Sequence, residues 1–147
     1  MAMDICLKGS NGAEKIILRV FEIGPFPDED GFPLSYEIIV DSSWCHVYGY
    51  QHFSFSGVLM GFRDALQNCY DTLTGSATYG DPFEWDFRFT VQMTSFGHAV
   101  INGELSDTLG KNMLKFTMET EQSYLSETLS AINKFEKQLA TMKQKHT

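Results

Sequence analysis

The clearest pattern in the sequence is a strict alternation of large apolar and polar residues over residues 83–93. One register holds Phe83, Trp85, Phe87, Phe89, Val91 and Met93, and the other holds Glu84, Asp86, Arg88, Thr90 and Gln92. Because successive side chains of a β-strand point to opposite faces, this spacing predicts a strand with one buried and one solvated face. The chain must therefore build a sheet that is covered by a core on one side.

Similar two-residue periods predict further strands, and 3.6-residue periods predict two helices. Strands are expected near Ile5 and over residues 14–23, 34–41, 44–55, 98–105 and 114–118. One helix should bury Leu59, Phe62, Leu66, Cys69 or Tyr70, and Leu73, with Ser56 as its N-cap and Gly75 at its end. A long C-terminal helix should bury Leu125, Leu129, Ile132, Phe135, Leu139 and Met142.

The order of these elements predicts an α+β fold in the order β4-α-β3-α, as a single domain over residues 1–147. Runs of strands separated by only one helix do not supply the crossovers of a parallel doubly wound sheet. We expect one curved antiparallel sheet, or two sheets, with the amphipathic C-terminal helix packed on the sheet.

The charge of the chain narrows the class of partner. The sequence has 11 Lys and Arg against 19 Asp and Glu, a net charge of −8. Residues 134–147 contain four lysines and one glutamate, a local +3, so residues 1–133 carry −11. Because affinity for nucleic acid comes largely from cations that neutralise phosphate, this balance argues against a nucleic-acid partner and favours a basic protein.

The sequence predicts no membrane segment, no cofactor and no metal site. The N-terminus has neither a basic start nor a long apolar stretch, which favours a cytoplasmic protein. Cys6, Cys45 and Cys69 fit neither a disulfide framework nor a metal motif, and buried free thiols are expected. His46 and His52 share a predicted strand face about 20 Å apart, too far for one metal ion.

Catalysis is not favoured by any motif in the sequence. The nucleotide-binding, nucleophile-elbow and zinc-protease signatures are absent. Glu84 and Asp86 are paired carboxylates on the solvated face of the strand at residues 83–93, but acid–base work needs two carboxyl groups in different environments. We predict no catalytic residue.

Candidate contacts for a partner come from two further segments. An exposed loop at residues 24–33 holds Asp28, Glu29 and Asp30, which together with Glu84 and Asp86 are candidate contacts for a basic partner. Trp44, His46, Tyr48, Tyr50 and His52 form an aromatic stripe along one strand face. This stripe is either core packing or, if exposed, a contact surface in which Trp44, Tyr48 and Tyr50 would anchor a partner.

The second half of the sequence resembles a known family. The segments Phe96-Gly97-His98-Ala99-Val100-Ile101-Asn102-Gly103-Glu104, Leu114-Lys115-Phe116 and Glu121-Gln122-Ser123-Tyr124-Leu125 resemble the WapI-type family of bacterial immunity proteins, loosely extended to residues 47–73. The resemblance implies a small, non-enzymatic, cytosolic protein that binds the toxic C-terminal domain of a polymorphic, often nuclease, toxin. The first 35 residues do not contribute to it, and no binding residue is carried over from the family.

Three hypotheses follow from these observations. The first is an immunity protein that binds a basic toxin domain. The second is a secretion-chaperone-like binding module, although such chaperones typically begin with a helix and dimerise. The third is a nucleic-acid binder that uses the Trp44 stripe, or an enzyme whose site is assembled from residues distant in sequence.

Overall fold

The structure, a computed structural model, describes residues 3–80, 86–107 and 110–145. Its first half is an antiparallel sheet in which consecutive strands pair in the order β1-β2-β3-β4. The strands are β1 (Met3–Lys8), β2 (Lys15–Ile23), β3 (Pro33–Asp41) and β4 (His46–Phe55). Strand β4 therefore lies at one edge of this sheet and β1 at the other.

The second half repeats this arrangement after helix α1 (Ser56–Thr72). Four antiparallel strands pair in the order β5-β6-β7-β8, and a long helix follows them. These elements are β5 (Ser76–Gly80), β6 (Phe87–Met93), β7 (His98–Ser106), β8 (Met113–Glu121) and α2 (Gln122–Lys145). The protein is thus an α+β fold with antiparallel sheets and a C-terminal helix.

The expected order β4-α-β3-α missed strand β5. Its five residues contain one small and one aromatic inward residue, Ala77 and Tyr79, which is too short a pattern to predict a strand. Tertiary pairing supplies the missing stabilisation, because Ala77 lies opposite Val91 and Tyr79 opposite Phe89 in the β5–β6 ladder. The order in the structure is β4-α-β4-α.

One hydrophobic cluster takes side chains from both sheets and both helices. Strand β6 confirms the alternation over its own residues, because Phe87, Phe89, Val91 and Met93 are all buried. The T-shaped contact of Phe62 with Phe89, with ring centroids 5.2 Å apart, joins α1 to this strand. Phe83, Glu84 and Trp85, which the sequence places in the same strand, lie outside the described residues.

Helix α1 begins differently from the prediction. Its N-cap is Phe55, and Ser56 is its first residue. The Ser56 hydroxyl accepts a hydrogen bond from the backbone N–H of Phe32, and Gly57 donates its N–H to the carbonyl of Asp30. The predicted exposed loop is therefore fixed at its end to the start of α1.

The end of α1 also departs from the prediction. Leu59, Phe62, Leu66 and Cys69 are buried as expected, but Leu73 is the left-handed C-cap and is 38% exposed. A residue that ends a helix at a φ of 59° leaves the buried face of that helix.

Helix α2 buries Leu125, Leu129, Ile132, Phe135 and Leu139, as its periodicity predicts. Its placement on a sheet is not confirmed, because its main contacts are with the edge strand β1 and with α1. The Thr128 hydroxyl donates to the carbonyl of Cys6 in β1 at 2.9 Å. All three cysteines are free, and Cys69 is buried while Cys6 and Cys45 are half-buried.

Candidate functional site

A surface cleft of about 550 Å³ lies between edge strand β4 of the first sheet and the β7–β8 end of the second sheet. The exposed surface of its described lining is mostly apolar, and the lining includes two carboxylates but neither lysine nor arginine. The lining residues are Val47, Tyr48, Gly49, Gln51, His52, Asp86, Leu105, Ser106, Asp107, Asn112, Met113 and Leu114. A cleft of this size and composition is typical of a binding site.

A β-bulge in β4 decides which side chains face this cleft. Tyr36 pairs with His52 and Ile38 pairs with Gly49, so β4 contains one more residue than β3 between these pairs. An extra residue reverses the alternation of side chains beyond it. His52 and Ser54 consequently point into the core. Tyr48, which precedes the bulge, faces the other side of the sheet and is 42% exposed.

The bulge corrects the prediction of one continuous aromatic stripe. Trp44 precedes β4 and is 78% exposed, and His46 is exposed and contacts Asp41. His52, the other end of the predicted stripe, is only 6% exposed. The described stripe residues therefore divide into an exposed group and a buried histidine, and the Tyr50 side chain lies outside the described residues.

The buried His52 contacts a carboxylate that the sequence places on a solvated face. Its Nδ1 lies 2.8 Å from Oδ2 of Asp86, whose side chain is 15% exposed. This contact does not have the geometry of a hydrogen bond, and Nδ1 has no hydrogen-bond partner among the described residues. The expected solvation of Asp86 is therefore wrong, because this residue lies in the turn before β6 and its carbonyl accepts the N–H of Ser106.

Gly49 brings β4 close to the second sheet. A β-carbon at this position would lie 3.1 Å from Nε2 of His52 and 3.5 Å from two methyl carbons of Leu105. The Nε2 atom thus faces the β4 backbone at Gly49. The His52–Asp86 pair has the composition of two members of a catalytic triad, but no described hydroxyl or thiol hydrogen bonds to Nε2 as a nucleophile would.

A second carboxylate lies at the rim of the cleft in the β7–β8 connection. Asp107 accepts hydrogen bonds from the Asn112 side chain and from the backbone N–H groups of Lys111 and Asn112. These bonds, led by that of the Asn112 side chain, hold the pKa of Asp107 below its ordinary value. Asp107 therefore keeps its negative charge beside the cleft, a role the sequence analysis did not assign.

The exposed loop at residues 24–33, which we call the acidic loop because it holds Asp28, Glu29 and Asp30, lies beyond the C-terminal end of β4. Pro33, the last residue of this loop and the first of β3, pairs with Phe55 at the end of β4. Asp28, Glu29 and Asp30 are exposed, and Oδ1 of Asp28 accepts the N–H of Asp30. The order along β4 is therefore Trp44, the cleft and then the acidic loop, while Glu84 lies outside the described residues.

The described side chains do not form a metal site or a membrane helix. No group of three His, Cys, Asp or Glu residues within residues 3–80, 86–107 and 110–145 could hold a metal ion. Over the same part of the chain, neither helix is long and apolar enough to cross a membrane.

The described residues form an α+β fold of two antiparallel sheets, with a surface cleft between an edge strand and the end of a hairpin. A comparison with protein families matches residues 6–140 to the family described as "Immunity protein WapI-like family". The chain belongs to the WapI-like immunity protein family. The match includes residues 6–35, to which the sequence resemblance gave no support. Neither the comparison with curated proteins nor that with solved structures found a match.

Proposed function

We propose that this protein neutralises a cognate toxin by binding it directly and without catalysis. The observation that carries the proposal is the family match over residues 6–140, since an immunity role is what that family's name states. The partner we propose is a basic toxin domain, and a nuclease fits this description because its active site is a positive groove for phosphate.

The charge distribution supports this choice of partner. Residues 1–133 carry −11, and the acidic loop at Asp28–Asp30 is exposed. Complementary charge accelerates the encounter of two proteins and does so less at high salt. We therefore expect the association rate with the toxin to fall as the salt concentration rises.

The proposed contact surface runs along edge strand β4, from Trp44 through the cleft to the acidic loop. Trp44 and Tyr48 are exposed aromatic side chains at this edge, and buried aromatic anchors contribute most to many protein interfaces. An edge strand also offers backbone groups to an extended segment of a partner.

The test is to sequence the genes beside this one, to purify the toxin domain that we expect there, and to measure its activity and its binding to the protein. We expect a stable complex, loss of toxin activity and an unchanged toxin mass. Full toxin activity in the presence of excess protein would overturn the proposal, and a covalently altered toxin would contradict the non-enzymatic mechanism.

Trp44→Ala is the sharpest variant for the proposed surface, and Phe96→Ala is its matched control. Both side chains are highly exposed, at 78% and 97%, but Phe96 lies in the turn before β7, whereas the cleft lies at the far end of that strand. If Trp44 is an anchor, its loss should weaken toxin binding by at least about tenfold. An equal effect of the two variants would exclude the β4 surface as the contact.

A further inference from the structure

We propose that the cleft beside β4 receives an arginine side chain of the partner, with the guanidinium at the carboxylate of Asp86 and the aliphatic stem against Leu105 and Leu114. The inference relies on the proposed function for the source of the arginine. The chemistry of the cleft itself can be tested without the toxin.

The apolar walls suit the stem of a long basic side chain. Val47 contributes from β4, Leu105 from β7, and Met113 and Leu114 from β8. Arginine and lysine commonly place their methylene groups along apolar surface while the charged end reaches a polar partner. At about 550 Å³ the cleft also has room for the neighbouring residues of an extended segment.

The charged part of the cleft has room for a cation beside Asp86. The Asp86 side chain is 15% exposed, and its Oδ2 lies 2.8 Å from Nδ1 of His52 without hydrogen-bond geometry. A mostly buried carboxylate to which no described residue donates a hydrogen bond is costly, and a guanidinium would supply two parallel N–H donors. Asp107 adds a second negative charge at the rim, and the described lining contains no lysine or arginine to neutralise either group.

The apolar walls favour arginine over lysine. The carboxylate of Asp86 lies among apolar side chains, where a weakly hydrated cation is easier to place than a strongly hydrated one. A guanidinium is planar and binds a carboxylate through two hydrogen bonds, whereas an ammonium is a strongly hydrated point charge. The two carboxylates also repel phosphate, which opposes a nucleic acid as the occupant.

The first experiment is an amide NMR titration of the full chain with N-acetyl-arginine methylamide. The matched ligand is its citrulline analogue, which has a similar shape but no charge. We expect chemical-shift changes centred on Gly49, Ser106 and Asn112 with the arginine ligand, and much smaller changes with the citrulline ligand. Equal shifts with both ligands, or shifts spread over all surface carboxylates, would overturn the inference.

The variant Asp86→Asn tests the proposed carboxylate, and Glu22→Gln is the control. Glu22 is an exposed residue of β2, so its variant removes the same unit of charge elsewhere. Loss of a charged hydrogen bond should weaken arginine binding about tenfold or more in Asp86→Asn and leave it unchanged in Glu22→Gln. Equal affinity in the two variants would contradict a site at Asp86. Superimposable melting curves establish that both variants fold.

The second experiment measures toxin binding, and it separates the proposed function from the proposed arginine site. If the wild-type protein does not bind the toxin, the proposed function fails and the arginine titration still decides the chemistry of the cleft. If the toxin binds the wild type and Asp86→Asn with equal affinity, the cleft is not a toxin contact. A tenfold loss with Asp86→Asn supports both proposals.

Discussion

At Gly103, the space beside the β7–β8 ladder is filled by the Phe116 ring. Two residues further along, at Leu105, the same ladder borders an open cleft. Gly103 pairs with Phe116, and a β-carbon on Gly103 would lie 2.2 Å from Cζ of that ring. Leu105 pairs with Leu114, and both line the cleft of about 550 Å³. One hairpin thus changes from close packing to an open groove within a single strand.

The charged groups between the two helices differ from those in the cleft in a similar way. Between α1 and α2, Arg63 donates two hydrogen bonds to Glu136 and one to Asn133, all at 2.8–3.0 Å. In the cleft, Asp86 and His52 approach each other without a hydrogen bond. The helix side thus holds Arg63 and Glu136 in hydrogen bonds within the fold, whereas no described residue donates such a bond to the Asp86 carboxylate in the cleft.

The largest expected effect is that of Gly103→Ala in the filled region. The added methyl group collides with the buried Phe116 ring, and overpacking of this kind should lower the free energy of unfolding by about 3 kcal/mol. Urea denaturation of the wild type and the variant measures the difference.

Gly61→Ala is the matched control for this substitution. Gly61 is an exposed residue within α1, and a β-carbon there would have no neighbour within 4 Å. The same chemical change should therefore stabilise the protein, by about 0.5–1 kcal/mol. A Gly103→Ala variant as stable as the wild type would show that the ring is free to move and that the ladder is not closely filled.

The hydrophobic core is where the sequence was most informative. The alternation in β6 and the helical periods of α1 and α2 follow from side chains that all point to one core, so spacing alone predicts them. Strand β5 was missed because its stability comes from pairing with β6 rather than from its own five residues.

The cleft could not be predicted, because it depends on one extra residue in β4. The bulge between the Tyr36–His52 and Ile38–Gly49 pairs moves His52 to the inner side and leaves Tyr48 exposed. An uninterrupted two-residue period places both on the same face. Asp86 was likewise assigned to a solvated strand face, whereas it lies in a turn that contacts His52.

A smaller effect is expected for Arg63→Ala at the contact between the helices. Arg63 is 17% exposed and Glu136 is 49% exposed at their side chains, so solvent screening reduces the value of the pair. We expect a loss of about 1 kcal/mol at neutral pH, mostly from the hydrogen bonds of Arg63. Arg63→Lys, which keeps the charge but not the two-pronged geometry, should recover only part of it.

The pH dependence of this variant provides an independent check. The hydrogen bond from Arg63 holds the pKa of Glu136 below its ordinary value. A carboxyl group with a lowered pKa in the folded state stabilises the fold above its unfolded pKa and loses this effect as the pH falls through the folded pKa. The difference between wild type and Arg63→Ala should therefore shrink in acid. A difference that grows as the pH falls would contradict the assigned ion pair.

The smallest expected effect is that of Asp86→Asn on stability, although Asp86 is as buried as Arg63. No described residue donates a hydrogen bond to its carboxylate, and replacing a buried charge by an amide removes a desolvation cost. We expect the free energy of unfolding to change by less than about 1 kcal/mol, in either direction. Thermal and urea denaturation beside Arg63→Ala measure the contrast under the same conditions. A loss of stability larger than that of Arg63→Ala would mean that the His52–Asp86 contact holds the two sheets together. The cleft would then be a structural feature of the fold, and the distinction between the filled region at Gly103 and the open cleft would fail.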